Sequence, residues 1–296
     1  MFPLFQSHWS LLLNDQNLPS YQNAYDDLYS SNGSNGSNGQ PAVKRDKIWK
    51  IIFDVLGLVT MFALVFVFYK VLEPPTQYFL INDPEISYPY KEPHVPSIMV
   101  ALLSFLFPVS IIIISNILFW FNKWDLYSGI MGSLFAYALT LVITSFFWSI
   151  VGGIRPHFLE LCNVDYSMVT SLSTYYTVDI CKNRARFNQD TFHGFPSGHV
   201  STAFAGCIFV SSYLASHMRL YRNGNLSKAF IAIIPIIFAI WLGFSRLGDH
   251  HHTFLQIVFG MIIGILSGLF SYRLFYLSGF WFGHGKYSHV PSMIYN

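Results

Sequence analysis

A chain of 296 residues that is 53% hydrophobic and only 11% charged, with a mean hydropathy of +0.41, is not an ordinary soluble domain, in which about 25% of residues carry charge. The balance points to a lipid bilayer. A net charge of +2, with no basic tract carrying interleaved aromatics, sets nucleic-acid partners aside. The aromatic share of 18% suits interfacial belts and lipid-facing Phe better than a cofactor box.

In chain order, residues 1–47 are polar and turn-rich, with a Ser-Asn-Gly repeat over 31–39. This composition predicts a disordered cytosolic N-terminus. Nothing before Lys47 resembles a signal peptide, so the first span is expected to act as its own anchor. Six apolar segments of roughly bilayer length follow, at 48–71, 98–121, 127–151, 199–218, 229–243 and 253–277. They predict an all-α, integral membrane bundle of six transmembrane helices over 48–277, with 278–296 as a short cytosolic tail. Asp54 in the first segment is placed at the headgroups, and Pro108 in the second as a kink that neighbouring helices tolerate.

Loop charge sets the expected orientation. Lys44, Arg45, Lys47 and Lys50 precede the first span, Lys123 lies between the second and third, and Arg219, Arg222 and Lys228 lie between the fourth and fifth. Both termini are therefore expected in the cytosol, although Lys182, Arg184 and Arg186 in the long third loop run against the pattern. The glycosylation sequons at Asn32, Asn35 and Asn225 all fall on that cytosolic side, where they stay unused. Of three cysteines, Cys207 lies in an apolar segment, while Cys162 and Cys181 share the third loop. These two either pair, if the loop faces an oxidising lumen, or remain two thiols.

Three polar patches fall at helix ends on one face. Arg155-Pro156 follows the third span, Pro196-Ser197-Gly198-His199 opens the fourth, and Ser245-Arg246, five residues, then His252 bridge the fifth and sixth. The start of a helix presents free N–H groups and the positive end of its dipole, and a Gly with a neighbouring Ser hydroxyl makes it a phosphate-shaped site. Arginine matches phosphate oxygens with a planar fork. One histidine can attack phosphorus while a second protonates the departing oxygen.

In order, spacing and helical frame, this set resembles the type 2 phosphatidic acid phosphatase family, whose members dephosphorylate lipid phosphates without a metal. Ile81-Asn82-Asp83-Pro84 and Asp179-Ile180-Cys181-Lys182 are similar to fungal members that act on diacylglycerol pyrophosphate and phosphatidate. The resemblance implies that Arg155, Ser197, Gly198 and Arg246 hold the phosphate. It implies His252 as nucleophile, forming a phosphohistidine, and His199 as acid for the leaving group. No cofactor or metal is implied, and the implied partners are a membrane lipid phosphate and the bilayer. The expected location is an endomembrane (vacuole, Golgi or endoplasmic reticulum), with the site on the non-cytosolic face.

Two positions depart from the family pattern. Trp148 stands where the family has Lys, and an indole can only pack or donate one N–H. Gln256 stands where the family has the Asp that orients the nucleophile. Its carbonyl oxygen can accept the imidazole N–H, but a flipped amide would hold the wrong tautomer. Asp249, three residues before His252, is a candidate substitute for that carboxylate. The two departures also leave a second reading open: a catalytically impaired member that binds lipid phosphates or acts as an interaction protein. A metal site at His250-His251-His252 with Asp249 and His193 is disfavoured, because adjacent imidazoles diverge. A transporter lacks a buried ionisable path.

Overall fold

The computed structural model describes residues 39–120, 122–187, 191–220 and 225–276. The sequons at Asn32 and Asn35, residues 1–38 of the expected N-terminal linker, and the expected tail at 278–296 lie outside the described residues. The chain divides into Met1–Gly57 and Leu58–Asn296. In its described part the first unit is the start of one helix, with Trp49 packed on Phe53. The packing and the candidate site described below belong to the second.

The six long helices are α1 (Gly39–Phe66, continued by a π turn over Val67–Val71), α2 (Ser97–Ser115), α3 (Lys123–Ile150), α4 (Gly198–His217), α5 (Leu226–Gly248) and α6 (Phe254–Tyr276). Each is long and apolar enough to cross a membrane. The protein is thus a multi-pass, all-helical membrane protein. Two helices, α1 and α5, differ most from the sequence reading. α1 begins inside the stretch read as linker: Pro41 fits a first helical turn, and Ala42 to Arg45 propagate it. α5 begins earlier and ends later than 229–243, so Ser245 and Arg246 sit in its last turn rather than in a loop. At its start Asn225 caps the helix by accepting from the Ser227 N–H at 2.9 Å.

α4 packs against α2, α3, α5 and α6, and 78% of its apolar window is buried. Lipid tails are as apolar as Leu, so helices associate in a bilayer by close van der Waals packing, which small residues permit. α4 carries Ser, Thr, Ala and Gly through most of its length. α6 meets it with Gly260, Gly264 and Gly268, one per turn, seated on the carbonyl oxygens of Ser197, Ser201 and Ala205. A Cβ on Gly264 would lie 2.3 Å from the Ser201 oxygen. On the opposite side Gly206 receives the Pro108 ring and the Ser104 carbonyl, the carbonyl that Pro108 leaves without its helical donor.

A polar-loop layer caps one end. Residues of the 72–96 and 152–197 loops share a small core of Phe79, Ile81, Ile86, Phe158, Cys162, Val164, Ile180 and Cys181. Cys162 and Cys181 are joined by a disulfide. Bridges pair Phe79 with Tyr176 and Val164 with Cys181. This layer lies over the ends of α3, α5 and the starts of α4 and α6, where the three polar patches emerge.

Candidate active site

The end of α3 reaches the start of α4 through a turn that only glycine tolerates. Gly152 and Gly153 have φ of +69° and +132°, and a Cβ on Gly153 would lie 2.8 Å from the Phe195 nitrogen. The turn lets Gly194 and Phe195 donate their N–H groups to the carbonyls of Gly153 and Gly152, at 3.0 and 3.1 Å. Arg155 is thereby carried to the Pro-Ser-Gly-His run.

Gln256 then joins all three patches, two through its side chain and the third through its backbone. Its Nε2 donates to the Ile154 carbonyl at 3.1 Å. Its Oε1 accepts from the Thr253 N–H at 3.2 Å and faces Nδ1 of His252 at 3.0 Å. Its backbone carbonyl accepts from the Ser197 N–H at 3.1 Å. Because Nε2 is committed to a carbonyl, the amide is held with its oxygen toward the histidine. Nδ1 of His252 lies between two acceptors, this oxygen and the Gly194 carbonyl at 3.2 Å. The proton therefore sits on Nδ1 and the lone pair on Nε2. The flipped amide weighed above does not occur.

His252 is buried. Burial, followed by the cationic Arg155 and by His199, pushes its pKa well below the ordinary imidazole value, against the opposing hydrogen bonds that it donates to Gln256 and the Gly194 carbonyl. Its ring centroid is 6.4 Å from that of His199. Both imidazoles line a cavity of about 320 Å³ together with Arg155, Gly198, Trp148 and His193. The rest of the lining is mixed, with Ser97, Ile98 and Ala101 of α2, Tyr137 and Leu141 of α3, Thr202 of α4 and Tyr69.

Trp148 has both uses open to an indole. Its N–H donates to the Pro196 carbonyl at 2.9 Å. Its ring stacks on His193, with centroids 5.2 Å apart and planes 6° from parallel, and Tyr69 meets both rings, at 5.0 Å from His193 and 6.0 Å from Trp148. A Cβ on Gly198 would lie 2.6 Å from the indole, so here glycine makes room for the tryptophan at the helix start. The Ser197 hydroxyl is buried and makes no capping hydrogen bond. A structural N-cap would use it.

Arg246 lies at the same end of the bundle, fully buried, but not in the cavity wall. Its Nη2 donates to the Val95 carbonyl at 2.7 Å and to Asp249 at 3.3 Å, while Nη1 has no hydrogen-bond partner among the described residues. Asp249 also accepts from the His94 backbone N–H at 3.0 Å and meets the His94 ring. Burial would raise the Asp249 pKa, but the His94 hydrogen bonds and Arg246 hold it below the ordinary carboxylate value. Asp249 thus braces Arg246 and the 72–96 loop. It does not orient His252, contrary to the sequence expectation, because α5 ends in a turn that aims its side chain the other way. The three consecutive imidazoles diverge: His250 stacks on Tyr88 at 4.5 Å, His251 meets His157 at 5.3 Å, and His252 faces Gln256. Among the described residues no group of three or more His, Cys, Asp or Glu side chains is placed to hold a metal ion.

Sequence reading missed the Trp148–His193–Tyr69 cluster, the Arg246–Asp249–His94 brace and the setting of His251 and His157. The alternation of three histidines after Asp249 was visible, but not which way each ring points.

A six-helix membrane bundle with two histidines and an arginine lining a cavity at one end, and a second arginine buried at that end, has the features of a phosphate-handling membrane protein. Comparison with known sequences sharpens this. Residues 129–280 match the PAP2 superfamily, and the chain belongs to that family. It is 31% identical to diacylglycerol pyrophosphate phosphatase 1 of Saccharomyces cerevisiae over 74% of this chain and 78% of that one. It is 29% identical to lipid phosphate phosphatase 1 of Arabidopsis thaliana over 80% and 70%, and 27% identical to phospholipid phosphatase 1 of Mus musculus over 62% and 69%. No solved structure matches.

Proposed function

We propose that the protein is a lipid phosphate phosphatase that hydrolyses phosphatidate, diacylglycerol pyrophosphate or a related lipid phosphate through a phosphohistidine. The single observation that carries this reading is the fixed tautomer of His252, with Nδ1–H held between two carbonyl oxygens and Nε2 left as a lone pair. An impaired member that only binds lipid has no need of a nucleophile prepared in this way.

The lipid enters between α2 and α3, its glycerol backbone and acyl chains against Ile98, Ala101 and Leu141. Its phosphate meets Arg155, the first N–H groups of α4 and the Ser197 hydroxyl, with Arg246 behind. Nε2 of His252 attacks phosphorus in line. The bond from phosphorus to the lipid oxygen breaks, and His199 gives that oxygen a proton. Water then attacks the phosphohistidine while His199, now neutral, takes its proton. The P–N bond breaks, inorganic phosphate leaves, and His252 recovers its lone pair. Gln256 has no charge to stabilise an imidazolium, so it acts by holding the tautomer.

The Cys162–Cys181 disulfide in the capping layer supports a site on the non-cytosolic face of an endomembrane, since such bonds persist in oxidising compartments. The test of the activity is phosphate release from phosphatidate in detergent micelles with chelator present. Release that survives chelation and vanishes in His252→Ala supports the enzyme. Lipid-phosphate binding with no release overturns it in favour of a binder.

A further inference from the structure

We propose that Tyr137 is a substrate-selecting residue, whose hydroxyl at the floor of the cavity donates a hydrogen bond to an acyl ester carbonyl. The site then favours glycerolipid phosphates with ester-linked chains over their ether-linked analogues. The proposal rests on the phosphatase reading above and names the substrate class of the same site.

Tyr137 lines the cavity together with Arg155, His199 and His252. The lining runs from Ser97 to Ala101 on α2 and from Gly198 to Thr202 on α4, about 6 Å of helix in each case. The floor thus lies about one turn inside the bundle from the start of α4, and Tyr137 enters it from α3. Tyr137 stands near the middle of α3, which runs from Lys123 to Ile150. In spanning helices tyrosines gather at the two membrane interfaces, where water and headgroups satisfy the hydroxyl. Midway along a span neither is at hand, so a phenol there needs another partner.

The described protein supplies none. The Tyr137 ring packs edge-on against Phe105, with centroids 5.6 Å apart, and its hydroxyl makes no hydrogen bond among the described residues. Nor is that oxygen sealed within protein, as the Ser197 hydroxyl is. It opens into the space that Tyr137 lines. The other hydroxyls of the wall are placed differently. Thr202 donates to the Gly198 carbonyl at 2.9 Å. Ser97 opens α2, and Tyr69 lies against Trp148 and His193, so both belong to the polar end. Deeper in, the lining is Ala101 and Leu141, which offer neither charge nor hydrogen bond. A neutral acceptor on an apolar stem suits this setting, and a charged headgroup does not. In a lipid phosphate held by its phosphorus at His252, the acyl ester answers that description. Its carbonyl follows the phosphate by only a few bonds, in keeping with the shallow floor, and its chain continues as hydrocarbon. The carbonyl oxygen accepts and the phenol donates. An ether-linked chain has no carbonyl there, and the hydroxyl stays unsatisfied.

The test compares phosphate release from diacyl phosphatidate and from its dialkyl ether analogue of the same chain length. It uses the full-length protein in micelles of an ester-free detergent. Wild type is expected to show a kcat/KM about fivefold higher for the diacyl lipid, as one neutral hydrogen bond implies. Tyr137→Phe keeps the ring against Phe105 and removes only the hydroxyl. It should lower kcat/KM for the diacyl lipid about fivefold more than for the dialkyl lipid, bringing the ratio to about one. A merely structural hydroxyl would, on removal, lower both alike. Equal kcat/KM for the two lipids in wild type, or the wild-type ratio kept in Tyr137→Phe, would overturn the inference while leaving the phosphatase reading intact. Absence of release from both lipids in wild type would sink the phosphatase reading, and this inference with it. Should Tyr137→Phe fail to fold, Tyr137→Leu carries the same expectation, and parity of the two lipids in wild type rejects the proposal by itself.

Discussion

At its two ends the bundle holds a cluster of buried polar side chains, and the two are satisfied to different degrees. At the end where α3 starts and α4 and α6 finish, Asp125 accepts from Tyr213 at 2.8 Å, His217 at 3.1 Å and Asn116 at 3.3 Å, and its backbone carbonyl accepts from Tyr276 at 3.3 Å. Both ring nitrogens of His217 face acceptors, the second being the Tyr213 carbonyl at 2.9 Å. At the opposite end the Ser197 hydroxyl, Nη1 of Arg246 and both nitrogens of His251 have no hydrogen-bond partner among the described residues. The chemical ingredients are alike: a carboxylate, histidines and tyrosines. The difference teaches that a closed network fastens helices, whereas an unclosed one is a network waiting for its last member.

The largest separation of the two ends comes from the proposed nucleophile. His252→Ala should lower phosphate release by about 10⁴-fold or more with the fold retained, read by turnover beside thermal unfolding in micelles. Asp125→Ala should do the reverse, costing about 2–4 kcal/mol of stability as Tyr213, His217 and Asn116 lose their common acceptor. Turnover per folded molecule should be unchanged, and a matching fall in kcat would break the comparison.

A smaller effect, and one with a sign to check, belongs to Gln256→Asp. The family resemblance suggests a gain. The structure predicts none, because a carboxylate cannot donate to the Ile154 carbonyl, whose loss of a donor costs about 1–3 kcal/mol. The added negative charge should, however, raise the His252 pKa. Attack needs neutral His252, so the acid limb of kcat/KM that reports it lies well below pH 6.5 in wild type and should move upward in the variant. Acid stability follows the same sign. The folded-state pKa of His251 is depressed from 6.5 to about 4, so between those values the unfolded chain binds a proton that the folded chain does not. Stability is therefore lost as pH falls through that window and levels off below it. The smallest effect is expected of Trp148→Phe, which keeps an aromatic face for His193 but drops the hydrogen bond to Pro196, for about 1 kcal/mol.

Much of the site was legible because its residues sit at fixed distances along the chain. Arg155, Ser197, His199, Arg246 and His252 could each be picked out by motif spacing, and three of these, Arg155, His199 and His252, line one cavity. Asp249 misled because its separation from His252 suits a helical turn, while α5 runs on to Gly248 before the chain turns. Gln256 looked like a defect for a related reason: its value lies in a donor to Ile154, 102 residues away in sequence, which no local pattern reveals.

Apolar length, loop composition and residue spacing by themselves determined a six-helix membrane protein with a phosphate-type site, since the cost of placing backbone and charge in lipid leaves few alternatives. Which end of each side chain meets which neighbour was decided only in three dimensions. Packing of α4 on α6 through Gly260, Gly264 and Gly268 brings Gln256 under His252 and Ser197. Long-range hydrogen bonds then choose the tautomer, divert Asp249 to Arg246 and leave His251 unpaired, because an orientation depends on partners that the chain supplies from far away.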